Sequence, residues 1–157
     1  MRRHRGFTLA ELIVVLMLIG ILAVVALPRL FDKSGFASRG AHDFVGSSLR
    51  YAQKSAVAMR RNVCVSIGTT SLDVTHALAA GSGQVCAGSV PNPATGQAFG
   101  SSTYEQGATV AAAALVIFDA LGRPLSAPSV PLTTALTITV NGHATPITIE
   151  PETGYVH

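Results

Sequence analysis

An uninterrupted apolar run from Leu12 to Leu27, with a single carboxylate, Glu11, at its head, constrains this chain more than any other feature. Phe7 to Leu27 is 21 residues, and at about 1.5 Å per residue a helix over it spans roughly 31 Å, close to the thickness of a bilayer core. An acidic side chain near the middle of a membrane helix costs about 2.5–3.5 kcal/mol on insertion scales, so such a carboxylate is read first as functional. A partner can be named. A cut after Gly6 would give Phe7 a free α-amino group, and a second copy shifted along its axis would bring that cation beside Glu11. The charge then makes sense only in an assembly. An ordinary secretory signal with Val24-Val25-Ala26 as its cleavage site, or a plain single-pass anchor, would each leave Glu11 without a role.

The residues around the charge resemble the N-terminus of type IV prepilins and of the pseudopilins of type II secretion. The likeness rests on the basic leader Met1-Arg2-Arg3-His4-Arg5-Gly6, the Gly6-Phe7 pair, Glu11 five positions into the cut chain and Pro28 further along. It implies cleavage between Gly6 and Phe7 by a prepilin peptidase, N-methylation of Phe7, and an assembly role for Glu11. The implied location is the bacterial inner membrane, spanned once, with the C-terminal domain in the periplasm and later in a pilus or pseudopilus. The implied partners are other pilin or pseudopilin subunits, the peptidase and methylase, and an inner-membrane assembly platform.

The sequence divides into a leader at 1–6, a transmembrane and assembly helix at 7–28, an amphipathic helix at 29–61 and a β-rich domain at 62–157. From Phe7 to about Arg61 it reads as one long helix with two interruptions: a kink at Pro28, which lacks an N–H, and a weak stretch from Ser34 to Gly40, where two glycines cost roughly 1 kcal/mol each relative to alanine. Beyond them Ala41, Phe44, Val45, Leu49, Ala52, Ala56 and Met59 recur at three- and four-residue steps, the stripe of a helix laid on a sheet.

From Asn62 the period changes to two. Val63 to Ile67 alternates, and Gly68-Thr69-Thr70 turns it into Leu72 to Thr75, a hairpin. Ala79 to Gly107, rich in Gly, Ser, Pro and Asn, reads as a long loop. Thr109 to Phe118 returns to strand and ends at a turn around Gly122 and Pro124. Leu136–Val140 and Pro146–Glu150 flank Asn141-Gly142 as a last hairpin with a connection that can exceed two residues, and Gly154–His157 closes the chain as a short strand. The fold class is α+β, a long N-terminal helix packed on antiparallel sheet.

This second half resembles the GspH/FimT group of minor pseudopilins, through Arg50-Tyr51-Ala52-Gln53-Lys54-Ser55-Ala56, Arg60 to Val65, Phe118-Asp119-Ala120-Leu121-Gly122-Arg123-Pro124 and Glu152-Thr153-Gly154-Tyr155-Val156. Within it the likeness is nearest to minor pilins of the mannose-sensitive haemagglutinin (MSHA) type of pilus, of the MshC kind. That implies a low-copy place in a filament. Cys64 and Cys86 are the only cysteines; an even number in an exported domain suggests a disulfide worth roughly 3 kcal/mol for a loop of about 20 residues, against two unpaired buried thiols.

Charge bounds the partners. Three of the eleven basic residues lie in the leader, leaving eight against eight acidic ones. Arg29, Lys33, Arg39, Arg50, Lys54, Arg60 and Arg61 face only Asp32 and Asp43, whereas from Asn62 onward Arg123 alone faces Asp73, Glu105, Asp119, Glu150 and Glu152. Some FimT-like minor pilins capture DNA through a Gly-Arg-x-Arg turn; here it reads Gly122-Arg123-Pro124-Leu125, without the second arginine. Phosphate affinity needs several neutralised contacts, so Arg123 reads as a brace for its turn, with DNA uptake as the alternative function. No enzyme signature is found: Gly81-Ser82-Gly83 has neither nucleophile-elbow nor dinucleotide spacing, and His42-Asp43 and the Glu150/Glu152 pair read as solvated surface. No cofactor is implied. The two cysteines and the scattered His42, His76, His143 and His157 do not make a metal-ligand set.

Overall fold

The computed structural model describes residues 7–31, 34–81, 85–100, 102–127 and 130–157, with the side chains of 25–31, 34, 106 and 127 outside the description. It divides into two units, Met1–Lys33 and Ser34–His157. In the first, α1 (Leu9–Phe31) is helical throughout, position 28 included. The kink expected at Pro28 falls where side chains lie outside the described residues.

In the second unit α2 (Ser34–Met59) runs unbroken across Gly35 and Gly40, so the interruption expected at Ser34–Gly40 does not occur. The glycine penalty is offset by tertiary contact. Ala37, Ser38 and Ala41 are buried there, and the Ser38 hydroxyl, 3.2 Å from the Gly142 carbonyl, ties the first turns to the far hairpin. The expected stripe is the buried face, with Val45, Leu49, Ala52 and Ala56 inaccessible to solvent. Three alanines in this face let the helix lie close over the sheet. The helix stops at Met59, earlier than the sequence suggests, because Arg60 takes the left-handed conformation (φ 50°). Arg61 N–H then bonds the Ala56 carbonyl and Arg60 N–H the Val57 carbonyl, the paired capping bonds of a Schellman motif.

Among the described residues seven strands form the main sheet. The hairpin is β1 (Val63–Ile67) and β2 (Ser71–Ala77), in register Val65↔Val74 and Ile67↔Leu72. The stretch expected to be a loop contains β3 (Cys86–Ser89) and β4 (Ser102–Thr103), both paired on the outer edge of β2, and Val90, Phe99 and Tyr104 from it are buried. Strands of two to four residues carry too few side chains to show a period, so partner pairing rather than pattern defines them.

The strand expected at Thr109–Phe118 is shorter: β5 (Ala114–Phe118) pairs with β1. Val110 instead bridges Val140, and Asn141 N–H bonds the Thr109 carbonyl. Beyond β5 come β6 (Pro124–Ala127) and β7 (Val130–Pro131), giving the order β3-β2-β1-β5-β6-β7. The final hairpin forms separately as β8 (Leu136–Ile138) and β9 (Ile147–Ile149), Thr137 opposite Thr148. Its connection is longer than two residues. The last residues make a single bridge, Val156 to Ile149, rather than a strand.

Alternation divides the two faces of the main sheet. Val63, Val65, Leu72, Val74, Val116 and Phe118 join the α2 stripe in the main core, while Cys64, Ile117 and Leu125 form a smaller cluster.

Candidate functional site

Gly6 lies outside the described residues; Phe7 is described and 76 % exposed. Thr8 starts α1: its carbonyl accepts the Leu12 N–H at 3.2 Å and its hydroxyl oxygen the Glu11 N–H at 3.3 Å. Thr8 and Glu11 thus hold the positions of a capping box, a Thr-x-x-Glu signature that sequence reasoning passed over. Glu11 is exposed in the first turn, where the helix dipole favours a negative charge. The insertion cost for a helix centre therefore overstates its burden. Large apolar side chains from Leu12 to Val24 are exposed around the helix, a surface that water tolerates poorly. Among the described residues no helix is long and apolar enough to cross a membrane; the described side chains of α1 end at Val24, so the full apolar length is a property of the sequence.

In the domain, the motifs of the second half converge on Gln53. Its side-chain amide donates to the Gly122 and Thr153 carbonyls, both at 2.9 Å, joining the turn after β5 to the C-terminal turn. Both turns need glycine. Gly122 (φ 81°) and Gly154 (φ 67°) are left-handed, and a Cβ on Gly154 would overlap the Gly122 carbonyl and lie 2.7 Å from Gln53 Nε2. Nearby, Arg50 Nε donates to the Val156 carbonyl at 3.2 Å. Spacing alone did not reveal that these short motifs meet.

Arg123 belongs to the same turn. Its Nε and Nη2 lie 2.9 and 2.8 Å from Asp119 Oδ2, and Asp119 Oδ1 accepts the Arg123 and Leu121 N–H groups. The guanidinium braces the turn, as the sequence suggests. Cys64 and Cys86 are disulfide-bonded, with Cα atoms 6.1 Å apart. Cys86 sits in β3 rather than in a loop, so the bridge fastens an edge strand across β2 to β1.

His42 stacks on His143 with ring centroids 4.0 Å apart, while the Asp43 side chain is 85 % exposed and 3.5 Å from His42 Nδ1. Glu150 pairs with His157 at 3.1 Å, and Glu152 is exposed. Among the described residues no three His, Cys, Asp or Glu side chains are grouped to hold a metal. Tyr104 is buried with its hydroxyl 3.1 Å from the Gly68 and Ser71 carbonyls; desolvation by burial pushes its pKa up from 10.0 to about 12.

Residues 1–27 match the family described as the prokaryotic N-terminal methylation motif. Over 61 residues, 39 % of this chain, the sequence is 34 % identical to the type IV narrow pilus major component PilA5 of Thermus thermophilus, covering 53 % of that protein. The chain thus spans about half the length of the curated relative it matches. No solved structure matches it. The N-terminal methylation motif over residues 1–27, the similarity to a type IV pilin over 61 residues and the long helix packed on antiparallel sheet together make this fold type IV pilin-like.

Proposed function

We propose that this protein is a minor pilin or pseudopilin of the GspH/FimT group, serving an MSHA-like type IV pilus or a type II secretion filament. It is cleaved between Gly6 and Phe7, N-methylated at Phe7, and held in the inner membrane by its apolar helix with the domain in the periplasm. Extraction into a filament then stacks that helix against those of other subunits. The observation that carries this reading is Glu11, an exposed carboxylate in the first turn of a helix whose following side chains are apolar and exposed through Val24. The minor role rests on the second-half motifs, since the matched relative is itself a major component.

Mass spectrometry of the mature chain tests the processing and is expected to start at N-methylated Phe7. Glu11→Ala should leave processing and membrane insertion intact while depleting the subunit from sheared filaments. Normal recovery in filaments would remove Glu11 from assembly. The second reading, a FimT-like receptor for DNA, has less behind it: Arg123 is engaged by Asp119, and the domain around it is acidic.

A further inference from the structure

Asparagine is among the chemically labile residues. It is most open to attack when glycine follows, because glycine carries no β-carbon to shield its nitrogen from the neighbouring side-chain carbonyl. The chain has asparagine at 62, 92 and 141, and the structure separates the three. Asn62 is buried, 2 % exposed, and precedes the branched Val63. Asn92 precedes Pro93, whose nitrogen has no proton to give up, and its Oδ1 accepts the Ala94 N–H at 2.9 Å. Asn141 precedes Gly142, and both are exposed.

The fold requires that glycine. The His143 N–H bonds the Val140 carbonyl at 3.1 Å, closing a turn with Asn141 and Gly142 at its centre. Gly142 has φ 81° and Asn141 is not left-handed, the signs of a type II turn, which calls for glycine at this position. Among the described residues the Gly142 N–H has no hydrogen-bond partner. One neighbour restrains the asparagine. Its Nδ2 donates to Thr109 Oγ1 at 2.8 Å, and its N–H to the Thr109 carbonyl at 2.9 Å.

We propose that Asn141 is a site of spontaneous deamidation, held back by Thr109, whose isoaspartyl product releases the first turns of α2. The Gly142 nitrogen gives its proton to solvent base and bonds to Asn141 Cγ. The Cγ–Nδ2 bond then breaks, and Nδ2 takes up a proton from water and leaves as ammonia. Water opens the resulting succinimide at either carbonyl, to aspartate or to isoaspartate, in which the main chain is longer by a methylene. Water is the only co-reactant. The consequence follows from what the turn holds. Ser38 Oγ lies 3.2 Å from the Gly142 carbonyl, and His42 stacks on His143. A lengthened main chain displaces both contacts. The start of α2 contains Gly35 and Gly40, poor helix formers that depend on such contacts, so it is the part of the helix that opens.

The test holds the purified full-length protein in detergent under mild alkali, which favours loss of the amide proton. Peptide mapping by mass spectrometry that separates aspartyl from isoaspartyl products follows it over weeks. Conversion should concentrate at Asn141 and spare Asn62 and Asn92. Thr109→Val, which keeps the shape and removes the acceptor, should speed it about fivefold, and Thr109→Ser should stay near the native rate. Hydrogen exchange at Val63–Ile67 verifies the fold of each variant, with Thr109→Ala as the comparison should valine disturb it. In the isoaspartyl form, exchange from Ala37 to Ala41 should rise at least about fivefold while Val63–Ile67 stays protected. Conversion at Asn141 no greater than at Asn62 or Asn92 overturns the site. Equal rates with and without the Thr109 hydroxyl overturn the restraint, and unchanged exchange at the start of α2 overturns the release.

Discussion

Gly154→Ala should cost the domain about 3 kcal/mol. A β-carbon in left-handed backbone costs roughly 1–2 kcal/mol, and Gly154 has φ 67°. The added carbon would also overlap the Gly122 carbonyl and crowd Gln53 Nε2, so the two turns must separate. That breaks at least one of the two bonds donated by Gln53, each worth about 1 kcal/mol. For a domain of this size the sum lowers the melting temperature by roughly 10 °C. Near-ultraviolet circular dichroism of the full-length protein in detergent, heated under non-reducing conditions, reads the shift. Gln53→Ala alone should cost about 2 kcal/mol by losing both bonds. The double variant should fall short of additivity by about 1 kcal/mol, because both changes break one junction. A Gly154→Ala cost below about 0.5 kcal/mol, the range of ordinary surface changes, would refute the junction.

Arg60→Gly should stabilise the domain by about 0.5–1 kcal/mol, since glycine meets the left-handed cap of α2 without a β-carbon; unfolding in urea measures it, and a loss of stability would show that the Arg60 side chain matters more than its backbone. Tyr104→Phe should cost about 1 kcal/mol through the lost hydroxyl contact with the Gly68 and Ser71 carbonyls. It should also flatten the alkaline response. With a pKa near 10 unfolded and about 12 folded, the unfolded chain releases this proton first. The stability due to Tyr104 is therefore present below pH 10 and lost as pH rises toward 12. Urea midpoints at pH 9 and 11 should differ more for the native chain than for the variant; equal differences would contradict the buried phenol.

What the sequence determined by itself was periodicity and charge. The apolar run after Glu11, the α2 stripe from Ala41 to Met59 and the β1–β2 hairpin were legible because each repeats over enough residues to bury one face. Glu11 stood out as a charge against an apolar background, and an even cysteine count pointed to the bridge. The tertiary structure decided what depends on partners distant in the chain. α2 crosses its glycines because Ser38 reaches Gly142 and Ala37 and Ala41 are buried, an offset that helix propensity cannot register. β3 and β4 exist because β2 offers them an edge. Thr109–Ala111 leaves β5 because residues around Val140 claim its backbone hydrogen bonds. Gln53 becomes a junction only once the helix has settled on its sheet, because folding sets which side of a helix meets the distant turns.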